Sequence, residues 1–177
     1  GPKVSANGLS FHVQVLTHAD EAGVPVPGRP KVVMLHGLVI DNLSSWYYTL
    51  APAVAMHADV YLIDLRGHGR TDMPATGYTV EDNVDDLVAL LDQWGIHEPV
   101  HLFGNSFGGV VSLALAHRHP ERVASLFLVE AHFAVEGWGE HMAGSLALGA
   151  FGLDETAVED WLAENADRKR ARVAKRA

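Results

Sequence analysis

The 177-residue sequence predicts an α/β fold, in which helices cover both faces of a mostly parallel, doubly wound sheet. Three observations predict this class. Short apolar runs of strand length recur up to residue 130. Amphipathic helical patterns separate them, as in successive βαβ units. After residue 130 the strand rhythm ends, and the pattern is helical up to residue 177 with five glycines interrupting it.

The first half of the chain contains three predicted strands. Leu9–Leu16 alternates between apolar and polar residues, which predicts an edge strand. Lys31–Leu35 is a β-branched apolar run and predicts a central strand, and residues 60–63 predict another buried strand. Between them, residues 41–45 offer helix-capping side chains before an apolar helical pattern at 46–56.

The second half begins with a polar loop and a capped helix. Thr79 is predicted to be the N-cap, with Asp82 three residues later as a weak capping-box partner. The helical pattern that follows ends at Gly95. The next predicted elements are a buried strand at 100–103, a helix at 110–117 and a strand at Val123–Val129.

The charge distribution is uneven along the chain. The net charge is −9, but all 22 acidic residues precede residue 168, and six of the 13 basic residues lie in the last ten positions. An acidic body disfavours nucleic acid as a partner, because such binding depends on neutralising phosphates. The basic end is interpreted as a solvated helix face rather than a nucleic-acid or membrane patch.

Composition narrows the class of protein further. A content of 48% hydrophobic and 20% charged residues is typical of a globular protein. There is no cysteine, which excludes a disulfide framework and a thiol nucleophile. No apolar run reaches transmembrane length and no signal pattern is recognisable, so we expect no membrane partner and a cytoplasmic location.

The turn between the predicted strand at 100–103 and the helix after it carries a reactive group. The sequence there is GNSFG, with Ser106 at the apex of a strand-to-helix turn. Gly104 and Gly108 leave room for a tight turn that lifts the serine above the sheet. The helix N-terminus favours negative charge, so the Phe107 N–H is predicted to donate to an oxyanion. Ser106 is the predicted nucleophile.

A second oxyanion donor is predicted in the loop after the first central strand. That loop begins with His36, Gly37 and Leu38. A glycine lets the backbone approach a bound oxygen, and the Leu38 N–H is predicted to point at it.

Three motifs then occur in a specific order and spacing. They are LHG at 35–37, DLRGHGRT at 64–71 and GNSFGG at 104–109. From about residue 9 to 130 the sequence therefore resembles the α/β-hydrolase superfamily. The resemblance implies structural roles for His36 and His68 and no cofactor. It also implies that residues 1–133 form the N-terminal part of the hydrolase core and that residues 134–177 begin a helical cap.

Within this family, the residue at the apex of the turn indicates the class of reaction. Aspartate there would imply a haloalkane dehalogenase or epoxide hydrolase, whereas serine implies cleavage of an ester, thioester, amide or carbon–carbon bond. We expect a small, largely apolar carbonyl substrate. The alternatives are a cofactor-free lyase, cyclase or oxygenase with the same pocket, and a non-catalytic ligand-binding relative.

The base and the acid that activate such a serine are expected outside this sequence. In the family both follow later strands, and a serine near its free pKa is a poor nucleophile. The expected partner is therefore the C-terminal remainder of the fold, in the same or a separate chain. Glu130 and His132 are internal candidates for acid and base, with ordinary loop positions as the alternative interpretation.

Several aromatic and apolar side chains are candidates for substrate contact. The predicted pocket residues are Trp46, Phe133, Trp138 and Met142, with core packing as the alternative. No His, Asp or Glu cluster has the spacing of a metal site, so no metal is expected.

Overall fold

A computed structural model describes residues 2–38 and 40–131 of the chain. The predicted cap at 134–177 and the predicted boundary at 133 lie outside the described residues. The strands are β1 Lys3–Ala6, β2 Leu9–Leu16, β3 Lys31–Leu35, β4 Asp59–Ile63, β5 Val100–Asn105 and β6 Val123–Val129. The α-helices are α1 Ser44–Tyr47, α2 Ala51–Val54, α3 Val80–Gln93 and α4 Phe107–Arg118, and a short 3₁₀ helix spans Pro120–Arg122.

The strands form one six-stranded sheet in the order β1-β2-β4-β3-β5-β6. The four strands from β3 to β6 are parallel to one another, and β1 and β2 form an antiparallel hairpin. This arrangement confirms the predicted fold class. The prediction that Leu9–Leu16 is an edge strand is wrong, because β2 lies between β1 and β4 and the short β1 takes the edge.

Helices cover both faces of the sheet, and each face has its own apolar core. Alternate residues of a strand point to opposite faces, so β3 contributes Val33 and Leu35 to one core and Val32 and Met34 to the other. Helices α3 and α4 cover the first core, while α1 and α2 cover the second. The short apolar strands are thus buried on both sides, as a parallel sheet requires.

The predicted capping box of α3 is present. The Thr79 side chain accepts the Asp82 N–H, and the Asp82 carboxylate accepts the Thr79 N–H at 3.0 Å. The predicted helical pattern at 46–56 is broken into two single turns, α1 and α2, with Pro52 in the first turn of α2. Their N-cap residues, Leu43 and Leu50, provide no side-chain cap, but within the predicted capping segment 41–45 the Asn42 side chain accepts the Ser44 N–H at 2.9 Å, at the start of α1.

A buried ion pair connects the loop after β4 to α3. Arg66 Nε and Nη2 donate to the two carboxylate oxygens of Asp86, each at 2.7 Å, in a bidentate pair. Asn7, in the β1–β2 turn, donates to the same carboxylate at 2.9 Å, and Arg66 also donates to the Gly77 carbonyl. These bonds hold the hairpin, the loop and α3 together.

Strand β6 forms the edge of the described sheet opposite β1. Its side chains are more exposed than those of β5, and Phe127 is 47% exposed although its ring lies 4.9 Å from that of Phe103. In the described part of the chain no helix is both long enough and apolar enough to span a membrane.

Candidate active site

Ser106 occupies a strained turn between β5 and α4. Its φ of 52° and ψ of −116° lie in a region that side-chain-bearing residues rarely adopt. The turn is held at both ends by backbone bonds. The Ser106 N–H donates to the Val129 carbonyl at 2.8 Å, and the Ser106 carbonyl accepts the Gly109 N–H at 2.9 Å. The backbone of β6 and α4 therefore enforces the conformation.

Two glycines of this turn have no room for a side chain. A methyl group on Gly104 would lie 2.5 Å from the Gly108 carbonyl oxygen. A methyl group on Gly108 would lie 2.5 Å from the His36 carbonyl oxygen. Contacts that short do not occur between a Cβ and a carbonyl oxygen, so α4 begins directly against the backbone of the loop after β3.

The loop after β3 passes beside Ser106. A methyl group on Gly37 would lie 3.4 Å from Ser106 Cβ and 3.7 Å from the Asn105 carbonyl oxygen. Phe107 is the first residue of α4, and the first amides of a helix have no partner within it. The structure therefore brings Gly37 close to the serine, and the backbone just before it close to the start of α4.

His36 fixes the orientation of the peptide between Gly37 and Leu38. The His36 side chain is fully buried, and its Nε2 accepts the Leu65 N–H at 2.9 Å. The neutral ring then carries its proton on Nδ1, which donates to the Gly37 carbonyl at 2.6 Å. In a trans peptide the N–H points away from the C=O. The Leu38 N–H therefore points away from the His36 ring.

The environment of His36 keeps its ring uncharged. Burial lowers the pKa of His36, and the nearby His68 ring, 5.0 Å away between centroids, acts in the same direction. The hydrogen bond to Gly37 opposes this effect only in part. A neutral ring is needed here because a protonated Nε2 could not accept the Leu65 N–H.

The lowered pKa of His36 predicts a pH dependence of stability. The unfolded chain takes up a proton at this histidine near pH 6.5, whereas the native ring resists it. Stability should therefore fall as the pH drops below 6.5, by up to about 1.4 kcal/mol per pH unit from this group. In His36→Asn we expect a shallower decline of the unfolding free energy between pH 7.5 and 5.5, measured by urea titration.

The matched control for that experiment is His57→Asn, because His57 is exposed. It should keep the decline of the native protein. An equally steep decline in His36→Asn would show that His36 does not set this pH dependence.

Asp64 joins the loop after β4 to the segment before α1. This buried carboxylate accepts the Leu43 N–H at 2.8 Å, the Arg70 N–H at 3.0 Å and the His12 ring Nδ1 at 2.7 Å. Gly69 lies so close to the carboxylate that no side chain would fit there. The second motif thus connects β2 and the segment before α1, and its Leu65 N–H bonds to the His36 ring of the loop after β3.

The other predicted site residues divide into two groups. Trp46 is 6% exposed, donates Nε1–H to the Leu35 carbonyl at 2.9 Å and packs in the core against Phe103. It supports β3 from the core side, and its predicted contact with substrate has no counterpart in the described residues. Glu130 directly follows β6 in a left-handed conformation with φ 50°. The candidates outside the described residues are His132, Phe133, Trp138 and Met142.

Sequence reasoning missed the contribution of Asp41. It assigned the residue only to helix capping, whereas its carboxylate accepts the Gly37 N–H at 2.8 Å. The signal available was a carboxylate four residues after the glycine and four before Ser45, within reach of both across a short loop. Within residues 2–38 and 40–131, no group of three or more His, Asp or Glu side chains could hold a metal ion.

The sequence also matches a family model. Residues 30–162 match the model described as the alpha/beta hydrolase fold. That match covers most of the chain, and it agrees with the sheet order and the turn at Ser106. The chain therefore belongs to the α/β hydrolase family.

Several similar proteins of known sequence or structure are named as hydrolases. The chain is 32% identical to the 2-hydroxymuconate semialdehyde hydrolase of Pseudomonas sp. strain CF600, over 92% of this chain and 60% of that protein. It is 33% identical to Epoxide hydrolase 2 of Siraitia grosvenorii, over 73% of this chain and 38% of that protein. The solved meta-cleavage product hydrolase of Pseudomonas fluorescens IP01 superposes with a TM-score of 0.64 at 27% identity, over 84% of this chain and 56% of that one. The chain thus spans between about two fifths and three fifths of the length of these relatives.

Proposed function

We propose that Ser106 is the nucleophile of a hydrolase that cleaves a small, largely apolar ester, thioester or related carbonyl compound. The observation that carries the proposal is the strained backbone at Ser106, beside Gly37 and at the start of α4. Strain of this kind persists only where the surrounding structure enforces it, and it is concentrated at functional sites. A serine at the apex favours acyl chemistry over the chemistry of an aspartate nucleophile.

The proposed reaction begins with attack of Ser106 Oγ on the substrate carbonyl carbon. The carbonyl π electrons move onto oxygen, and the N–H groups of Phe107 and Leu38 donate to that oxyanion. Collapse of the tetrahedral intermediate expels the leaving group, which takes up the proton removed from the serine. Water then cleaves the acyl-enzyme by the same steps. Removing one such donor costs about 3–4 kcal/mol of transition-state stabilisation in a well-studied case.

The base is proposed to come from outside the described residues. Both ring nitrogens of His36 are engaged, with Gly37 and Leu65, so His36 is not free to take the serine proton. A histidine and an acid in the C-terminal remainder of the fold, in this or another chain, would activate Ser106. Glu130 and His132 remain the internal candidates. Glu130 is supported by its place beside Val129, whose carbonyl accepts the Ser106 N–H.

The substrate class is supported by the relatives and by the sequence. One relative is named for a small semialdehyde compound. The predicted pocket residues Phe133, Trp138 and Met142 are apolar. The relative supports a carbonyl group in the substrate, and the predicted pocket residues support a largely apolar body.

Active-site labelling tests this proposal. A fluorophosphonate probe should label the protein with one equivalent at Ser106, located by peptide mass spectrometry. Ser106→Ala should abolish labelling, and Ser125→Ala should leave it unchanged. Ser125 is a demanding control because its hydroxyl lies 2.6 Å from the His101 ring nitrogen, yet it sits mid-strand without a helix N-terminus.

Two results would contradict the proposal. Labelling at Ser125 or at scattered serines would remove the special role of Ser106. Silence of Ser106 in a preparation whose intact mass shows the remainder of the fold would favour the ligand-binding alternative. Incorporation of oxygen from labelled water into the product separates hydrolysis from a lyase or oxygenase reaction.

A further inference from the structure

The carboxylate of Asp41 closes the loop that leads from β3 to α1. One oxygen, Oδ2, accepts the Gly37 N–H at 2.8 Å. The other, Oδ1, accepts the Asn42 N–H at 2.8 Å and the Ser45 hydroxyl. One half-buried side chain therefore connects the start of the loop to its end and to α1.

This carboxylate lies on the same side of Gly37 as Ser106. A methyl group on Gly37 would lie 3.3 Å from Asp41 Oδ2 and 3.4 Å from Ser106 Cβ. The two side chains therefore approach the same small volume. Asp41 is thus part of the immediate surroundings of the turn at Ser106 rather than a remote surface group.

Asp41 and His36 together restrain both peptide groups of Gly37. Asp41 holds the N–H of the peptide before the Gly37 Cα, and His36 holds the C=O of the peptide after it. Glycine has the greatest backbone freedom of all residues, so an unrestrained Gly37 would let the next peptide rotate. With both planes fixed, the direction of the Leu38 N–H is fixed as well.

We propose that Asp41 is a positioning residue that aligns the Leu38 N–H with the oxyanion formed at Ser106. This inference rests on the proposed function of Ser106. It assigns to Asp41 an effect on the transition state exerted through the backbone, without contact to the substrate. Alignment matters because an oxyanion donor must lie about 2.7–3.1 Å from the developing charge.

Asp41 acts as an ionised carboxylate. Burial opposes ionisation, but hydrogen bonds from Ser45, Gly37 and Asn42 outweigh it and lower the pKa of Asp41. A bare negative charge beside an oxyanion would raise the barrier, and the three donors offset that charge. If Asp41 acts by positioning, loss of the carboxylate lowers kcat; if its charge dominates, the same loss raises kcat. The two effects are therefore separable.

The test is the turnover of p-nitrophenyl butyrate by Asp41→Asn. The amide retains one acceptor oxygen but turns an NH₂ group toward one of the backbone or hydroxyl donors. We expect kcat to fall about 30- to 100-fold, less than the roughly 100- to 1000-fold seen when an oxyanion donor is lost outright, with KM changed by less than about threefold. A residue that only supports the fold would not lower kcat selectively.

Asp20→Asn is the matched control. Asp20 also accepts two backbone amides, those of Ala22 and Val24, both at 2.9 Å, but in an exposed loop. Its kcat should equal that of the native protein. Should Asp41→Asn fail to fold in circular dichroism, Ser45→Ala keeps the carboxylate and removes one of its donors. We expect that variant to lose about three- to tenfold in kcat at unchanged KM.

The outcomes separate this inference from the proposed function. Absence of labelling and turnover in native protein whose intact mass shows the remainder of the fold would overturn the role of Ser106 itself. Native turnover together with an unchanged or increased kcat in Asp41→Asn, or in Ser45→Ala if the first variant does not fold, would overturn the role of Asp41. A fall in kcat at constant KM, absent from Asp20→Asn, would support it.

Discussion

Replacing Ser106 with glycine is expected to make the protein more stable and inactive at once. Ser106 holds a positive φ that costs a side-chain-bearing residue about 1–3 kcal/mol, and glycine adopts it freely. Part of that gain is lost to the larger backbone entropy of unfolded glycine. The free energy of unfolding should therefore rise by about 1 kcal/mol, while turnover of p-nitrophenyl butyrate falls about 10⁵-fold or more.

Two variants make this result interpretable. Ser106→Ala should lose the same activity but keep the stability of the native protein, because alanine retains the strained Cβ. Ser125→Gly, on strand β6, should instead lose about 0.5–1 kcal/mol, since glycine weakens an ordinary strand. Equal stabilities of the glycine and alanine variants at 106, measured by urea unfolding, would show that the turn stores no strain.

The second large effect is expected at the buried ion pair of Arg66 and Asp86. Their side chains are only 8% and 4% exposed. Arg66→Met leaves the Asp86 carboxylate buried without its bidentate partner, and we expect a loss of about 3–5 kcal/mol in the free energy of unfolding. The double variant Arg66→Met/Asp86→Leu should recover most of that loss because no buried charge remains.

The control for this pair is Arg118→Met. Arg118 pairs with Glu81 on the surface, where the side chains are 36% and 62% exposed. Such pairs contribute little because water screens them, so we expect a change below about 0.5 kcal/mol. A loss in Arg66→Met as small as that in Arg118→Met would show that the buried pair does not hold the hairpin, loop and α3 together.

Patterns within single segments predicted most of the fold. Lys31–Leu35 and Val123–Val129 are strands with the predicted bounds, because apolar runs of this length fit a sheet buried on both faces. Strand β1 was missed because four residues carry too little pattern. The Asn7–Gly8 pair, with φ of 48° and 75°, is nevertheless a strong hairpin signal that places β1 beside β2.

The site was less accessible to prediction where it depends on tertiary contacts. Ser106 and its glycines were found because the turn needs particular residues at fixed local spacing. The bond from Asp41 to Gly37 crosses a loop that has no periodicity, so only the short spacing of the two residues indicates it. Trp46 was assigned to the pocket, with core packing as the alternative, because an aromatic side chain gives the same sequence pattern in a core and in a cavity wall.

The restraints on the turn at Ser106 have a consequence for how new activities arise in such a scaffold. The backbone at 106 is held by the Val129 carbonyl, by the Gly109 amide and by glycines that tolerate no substituent, and the Ser106 side chain caps nothing. The side chain at 106 can therefore be exchanged without changing the backbone contacts that hold the turn. The same backbone turn can thus present different side chains. The sequence identity of about a third to both an epoxide hydrolase and a semialdehyde hydrolase fits such an exchange.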